Sequence, residues 1–409
     1  MLLARLLRTM VKTGRLTVID ATDRVHAFGE PGQQPAATIR LHDKALHAKL
    51  FFNPDLYLGE AYMDGTLTIE EGTLREFLDL CGANLARAEN TAQKRLVRRL
   101  AWMMRPLTQH NPTGRARRNA AHHYDLSDAL YDLFLDKDRQ YSCAYFLSPD
   151  NSLEQAQQNK KRHIAAKLLL KPGCKVLDIG SGWGGLALYL ARVADAEVTG
   201  VTLSEEQHKA STERAAAEGL SERVRFYLRD YREDRGRYDR IVSVGMFEHV
   251  GVKHFPEFFR KIRELLTDDG VALLHSIGRF DEPSVTNPWI RKYIFPGGYV
   301  PALSEVLPAV ETCGLYVTDI EILRLHYAET LKEWWRRFQA NREKIKKIYD
   351  ERFCRMWEFY LAGAEMGFRR NHQMVFQMQL AKRLDAVPLT RDYMYEWEQR
   401  RLSGATQAA

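Results

Sequence analysis

Between residues 153 and 276 the hydrophobic period switches repeatedly between that of a helix and that of a strand. A helical stretch, Leu153 to Leu170, stops before Pro172-Gly173. An apolar run from Lys175 to Leu177 then leads into Asp178 and a glycine-rich turn, and Leu186 to Arg192 resumes helical spacing. The pattern repeats: Glu197–Leu203 reads as a second strand, Glu205–Gly219 as a helix, and Val224–Asp230 and Tyr238–Val244 as the third and fourth strands. Residues 255–266 read as a helix and Gly270–Ser276 as a fifth strand. Strands alternating with helices predict an α/β fold, a mostly parallel sheet with helices on both faces.

The flanks read differently. Before residue 90, Arg15–Ile19 and Ala37–Leu41 alternate as strands on either side of a turn at Gly29–Gly32. Leu56–Tyr62 is helical, Thr66–Ile69 returns as a strand after Asp64-Gly65, and Thr73–Leu85 carries an apolar face at helical spacing. These features predict a smaller N-terminal α/β domain over 1–100, a binding or docking module with no catalytic arrangement. Residues 101–120, with Pro106, Asn111-Pro112 and Gly114, read as a basic linker. Residues 121–395 read as the main domain and 396–409 as a tail, expected to be disordered from Leu402 onward. Leu331 to Arg383 reads as helices rich in aromatic and basic residues that cover a pocket.

Composition narrows the class without choosing a function. With 45% hydrophobic and 28% charged residues over 409 positions, the chain is ordinary for a globular protein of two domains or more. No apolar run approaches the roughly 20 residues of a membrane span. Met1–Arg8 is too short and too interrupted by arginine for a signal peptide, and fits a short amphipathic helix. Cys81, Cys143, Cys174, Cys313 and Cys354 are odd in number and lack a close-spaced metal pattern, so a reducing cytoplasm is the simple expectation.

The net charge of +7 changes the picture more. Thr91 to Arg118 holds eight Lys or Arg and no acid. A solvated linker, a nucleic-acid contact and an anionic membrane surface all fit such a run. Trp102, Met103 and Met104 within it favour lipid over nucleic acid, for which no groove-reading motif is present.

Candidate chemistry gathers around Asp178-Ile-Gly-Ser-Gly-Trp-Gly184. Glycines let a ligand lie against backbone, and the helix that follows offers unpaired N–H groups. An acid two residues before the first glycine resembles the first motif of Rossmann-like methyltransferases that bind S-adenosylmethionine, where the acid serves the methionine ammonium. In a parallel sheet, ligands collect beyond the carboxyl ends of the strands. Asp178, Thr202, Ser204, Asp230, Glu248 and His275 all fall there. At the end of the second strand, where many such sites carry an acid for the ribose, Thr202, Ser204 and Gln207 offer neutral hydrogen bonds, with Glu205 also in reach. Cys143, between aromatics, reads as a buried thiol. His122-His123 has no partners that complete a metal site.

Seven stretches, in order, are similar to the cyclopropane-fatty-acyl-phospholipid synthases and their mycolic-acid relatives: His123–Ser127, Tyr141–Phe146, Leu177–Gly184, Gly200–Ser204, Met246–Val250, Tyr293–Gly298 and His326–Leu331. The resemblance covers about residues 120 to 390 and implies a class I methyltransferase fold with a seven-stranded sheet. It also implies a reaction in which the cis double bond of an unsaturated acyl chain, in a membrane phospholipid, takes the sulfonium methyl of S-adenosylmethionine and closes a cyclopropane ring, with bound bicarbonate as the base. By resemblance the bicarbonate cradle maps to Cys143, Glu248, His275, the backbone of Ile277, and Tyr327. Tyr124, Tyr141 and Ser142 would close over S-adenosylmethionine, with Gly180 and Gly182 as backbone, Thr202 and Gln207 at the ribose and Asp230 at the adenine. Trp289 to Val300, with Arg291 and Lys292, fits an acyl tunnel with a basic mouth, or an ordinary cap. A homodimer on the inner face of an anionic membrane is the implied setting. A methyl-branching relative and a non-enzymatic lipid-binding protein are the other readings.

Overall fold

The computed structural model describes residues 2–89 and 127–406. The basic run Thr91–Arg118, the linker, His122-His123 and Tyr124 lie outside the described residues. The chain forms two compact units. One contains 127–283, 297–327 and 374–406, the other the described residues up to 89 with 284–296 and 328–373. Thus 284–296 and 328–373, which the sequence reading placed in the 121–395 domain, cluster with the N-terminal residues.

The first of these units is built on a seven-stranded sheet of order β10-β11-β9-β8-β5-β6-β7. The strands are β5 (Lys175–Ile179), β6 (Glu197–Thr202), β7 (Val224–Leu228), β8 (Tyr238–Val244), β9 (Leu266–Arg279), β10 (Tyr316–Ile322) and β11 (Gln373–Ala381). β5 lies parallel between β6 and β8, with Asp178 level with Gly200 on one side and Val242 on the other. β10 and β11 pair antiparallel. From β5 the chain winds outward to β7 and then returns to β8 and β9 on the other side, leaving a crevice at the carboxyl ends where the order reverses.

Successive strand residues point to opposite faces, and both faces here are buried. Leu177, Ile241 and Leu274 pack with Phe247, Phe255 and Phe258 on one side. Val176, Val242 and Leu273 pack with Ile164, Leu186 and Leu190 on the other. This double burial explains why the strands read as near-continuous apolar runs. It also explains one correction: the end of the Leu331–Arg383 stretch is not helical. Gln373–Ala381 is β11, buried along almost its whole length, and an apolar run buried on both faces carries no period to tell a strand from a helix. A second correction concerns the tail, since the helix Asp392–Thr406 continues past Leu402. Its Trp397 packs against the core on the Ile164 face.

The other unit holds a four-stranded sheet, β2-β1-β3-β4. Its strands are β1 (Arg15–Ile19), β2 (Val25–Gly29), β3 (Ala36–Leu41) and β4 (Leu67–Glu71). β2 was not legible because only Phe28 of its five residues is buried, so hydrophobic alternation is absent. Leu16, Val18, Ile39, Leu67 and Phe77 form the core with Ala362 of the helix Glu351–Arg370. Ion pairs join that helix to N-terminal elements: Arg75 makes a two-pronged contact with Glu365 at 2.7 and 3.0 Å, and Arg370 pairs with Asp79 at 2.8 Å. Trp289 is buried, its indole N–H on Met63 Sδ at 3.1 Å, and a Cβ on Gly59 would stand 2.5 Å from that ring. Lys292, half of the expected basic mouth, is paired with Glu60 at 2.6 Å, while Arg291 is exposed.

Candidate active site

At the crevice, β5 ends and Gly180, Gly182 and Gly184 take φ of +81°, +55° and +81° before the helix Gly185–Ala194. The N–H groups of Gly180 and Ser181 donate to Val201 O at 2.9 and 3.0 Å, fastening the turn to β6. The glycines differ in what they spare. A Cβ on Gly180 would lie 2.9 Å from Met246, whereas a Cβ on Gly182 would meet nothing within 4 Å. Gly182 therefore borders open space. That space is a cleft of about 1380 Å³, open solvent included, lined by Tyr141, Ser142, Asp178, Gly180, Gly182, Thr202, Gln207 and Asp230. Of the nine residues expected to bind the cofactor, these eight come together; Tyr124 is the one outside the described residues.

Their hydrogen bonds show what each has left to offer. Asp178 is 2% exposed and its Oδ2 has no partner among the described residues. Burial pushes this carboxyl up to about 7, against the pull of the Lys160 ammonium. A buried carboxylate oxygen without a donor suits a cationic ligand group. Thr202 donates to Gln207 Oε1 at 2.9 Å, which leaves the Gln207 –NH₂ as a donor. Glu205 is exposed and does not line the cleft. Asp230 is occupied: Arg232 grips it through Nε and Nη2 at 2.8 and 2.6 Å. Arg232 was not singled out from the sequence, although an arginine two residues after a candidate acid is a visible signal.

The other candidates are not among the residues lining this cleft, although Glu248 precedes His249 and Cys143 follows Ser142, both of which line it. Glu248 sits in a 3₁₀ turn, Phe247–His249, just beyond β8. Its Oε1 accepts the Ile277 N–H at 2.6 Å, its Oε2 makes no hydrogen bond among the described residues, and burial pushes the carboxyl up to about 7 against the pull of the Ile277 N–H and the nearby Ser276 hydroxyl. His275, on β9, is 2% exposed. Gln377 of β11 donates its amide to His275 Nδ1 at 3.1 Å, which places the ring proton on Nε2. Burial drives this imidazole down to about 3, so it is neutral at pH 7.

The hydrogen-bond partners of these two side chains are therefore the Ile277 N–H for Glu248 and the Gln377 amide for His275. Gln377 was missed because nothing local marks it; it is a polar residue in an apolar run on a distant strand. Cys143 is buried with Sγ 3.3 Å from Ala144 O, and Tyr327 is 9% exposed. His249 lines the cleft and is driven by burial down to about 4. It too escaped the sequence reading, standing next to the more conspicuous Glu248. Two orphaned carboxylate oxygens, two neutral imidazoles and a glycine-lined floor make a site for a cationic ligand beside a place where a proton can be held.

Residues 111–378 match the family described as mycolic acid cyclopropane synthetase, and residues 4–90 match a domain of unknown function. A probable fatty acid methyltransferase of Pseudomonas putida is 37% identical over 89% of this chain and 93% of its own length. The cyclopropane-fatty-acyl-phospholipid synthase of Escherichia coli K12 is 38% identical over 86% and 89%. The mycolic acid cyclopropane synthase CmaA1, solved with SAH and CTAB, superposes with a TM-score of 0.62 at 33% identity, covering 66% of this chain and 99% of that one. The chain belongs to the mycolic acid cyclopropane synthetase family and carries its S-adenosylmethionine-dependent class I methyltransferase fold.

Proposed function

We propose that the enzyme transfers a methylene group from S-adenosylmethionine to the cis double bond of unsaturated acyl chains in phospholipids, forming a cyclopropane. The observation that supports this most is Glu248: a buried carboxyl with one oxygen tied to the Ile277 N–H and the other without a hydrogen bond among the described residues, next in the chain to His249 on the cleft wall. Methyl transfer to the alkene leaves a carbocation; ring closure removes a proton from the new methyl group, whereas a methyl branch with a surviving alkene removes one from a neighbouring carbon, so both outcomes need a group that takes a proton. Bicarbonate, when bound, supplies a base that is not itself readily alkylated. For this chain the cradle is Cys143, Glu248, His275, Ile277 and Tyr327. Glu248 offers an acceptor or, protonated, a donor; His275 offers the Nε2 proton; Tyr327 offers a hydroxyl. Cys143 is a wall and a weak donor rather than a nucleophile. Asp178 takes the ammonium of the cofactor, Thr202 and Gln207 the ribose, and Asp230, steadied by Arg232, the adenine. The apolar packing around the site excludes water from a carbocation-like species.

The name of the Pseudomonas putida relative favours a second reading, a methyl-branched product. Purified enzyme incubated with unsaturated phospholipid vesicles, S-adenosylmethionine and bicarbonate separates them. Both products gain one CH₂, and proton NMR shows high-field ring protons only for the cyclopropane. A branch with a surviving alkene overturns the first reading.

We infer further that the substrate is met at an anionic membrane surface, in keeping with the net charge of +7 and the basic run Thr91–Arg118. Among the described residues no helix is long and apolar enough to cross a membrane. Vesicle binding is expected to rise with anionic lipid and fall with salt, and salt-insensitive binding overturns this.

A further inference from the structure

The helix Leu153–Lys167 buries three lysines: Lys160, Lys161 and Lys167 are 1, 0 and 0% exposed. Two have carboxylate partners, Lys161 with Asp138 and Lys167 with Glu321. Lys160 differs. Among the described residues no carboxylate lies within ion-pair distance of it, and its Nζ donates to two neutral oxygens, Gln140 Oε1 at 2.6 Å and Ser142 Oγ at 2.9 Å. A buried ammonium without a counter-ion costs stability, and an apolar side chain would serve packing better. Such a group held beside a ligand cleft calls for a functional explanation.

The hydrogen bonds supply one. Ser142 lines the cleft, and its oxygen is already used as an acceptor by Lys160. Its own hydroxyl proton has no acceptor among the described residues, so Ser142 is presented to a ligand as a donor. Hydrogen bonding to an ammonium strengthens that donor. Gln140, also on the cleft wall, is held at both ends: Asp136 Oδ1 accepts its backbone N–H at 2.8 Å, and Lys160 takes its side-chain carbonyl. The ionisable groups that act on Lys160 are Asp136, Asp138, Lys161 and the Cys143 thiol, and Lys160 in turn acts on Asp178 and His275. One cleft thus carries a carboxylate with an open oxygen and a serine donor backed by a buried cation. A zwitterionic amino-acid group has the matching pair of charges.

We propose that Lys160 is a positioning residue that acts through Ser142 to bind the carboxylate at the amino-acid end of S-adenosylmethionine, opposite in charge to the ammonium taken by Asp178. This rests on the reading of the cleft given under Proposed function. Calorimetry on the full chain with three probes tests it: S-adenosylhomocysteine, its decarboxylated analogue, and 5′-methylthioadenosine, which lacks the amino-acid end altogether. Wild type is expected to prefer S-adenosylhomocysteine. Lys160→Met should cut that preference over the decarboxylated analogue roughly tenfold, the worth of one charge-assisted hydrogen bond, and leave methylthioadenosine unchanged. Ser142→Ala should do the same, and the double variant should lose no more than either single one. Lys160→Gln, neutral but still polar, carries the same test should the methionine variant not fold. Equal loss for all three probes, or fully additive effects of Lys160 and Ser142, overturns the proposal. Failure of the wild type to bind any probe overturns the reading of the cleft itself, so the two failures are distinct.

Discussion

Glu248 Oε1 accepts the Ile277 N–H at 2.6 Å, while Oε2 of the same carboxyl makes no hydrogen bond among the described residues. One oxygen fixes the side chain and the other is left for chemistry. Glu248→Gln keeps the fixing bond, because the amide oxygen can still accept from Ile277, but removes the titrating group. Product formation should fall by on the order of 10²–10⁴, the range for loss of a group that handles a proton, with S-adenosylhomocysteine affinity little changed. Product analysis by mass spectrometry beside calorimetry checks both halves.

Stability should move the opposite way. Asp178 and Glu248 have folded-state values raised to about 7 by burial. Between their unfolded values and about 7 the native state binds more protons than the unfolded chain, so stability is lost as pH rises through that window. Asp178→Asn and Glu248→Gln should therefore melt higher than wild type at pH 8, and the gain should vanish near pH 4. Melting curves against pH, without ligand, measure it.

The same carboxyl predicts a proton release. Near pH 6.5 Asp178 is largely protonated and must ionise to meet an ammonium. Binding of S-adenosylhomocysteine should expel part of a proton there and tighten as pH rises towards 8. Calorimetry in buffers of different ionisation enthalpy reads the release directly, and Asp178→Asn should abolish it.

Gly182 separates space from strain. At φ +55°, with nothing within 4 Å of a would-be Cβ, alanine should cost about 1–2 kcal/mol of stability for its backbone alone. Its methyl group would stand in the cleft, so S-adenosylhomocysteine affinity should fall as well. Gly180→Ala adds a clash with Met246 and should lower the melting temperature more.

Gln377→Leu should leave ligand affinity intact and slow product formation about tenfold, the worth of one hydrogen bond, because His275 loses the amide that fixes its tautomer. Steady-state kinetics would show the change in kcat rather than KM.

Much of this site was readable without coordinates because its parts are local. Asp178 and the glycines lie within seven residues, and Thr202 ends a strand whose following helix carries Gln207 in its first turn. Strand ends in a parallel sheet converge by construction, so the rim could be assembled from periodicity alone. What escaped depends on distant pairings. Gln377 reaches His275 across 102 residues, and Lys160 reaches Ser142 across 18, from a helix to a loop. The grouping of Glu351–Arg370 with the N-terminal residues rests on pairs such as Arg75–Glu365, 290 residues apart. No local pattern encodes such partners.

β11 lies between β10 and β9 although it is the last strand of the chain. During synthesis the neighbours on either side emerge first and must wait, with unpaired edges and apolar faces uncovered, for residues 373–381. Chains stalled before that point therefore lack both a closed sheet and the amide that sets His275. Such a chain is unfinished as a fold and as a catalyst together, because one strand completes both.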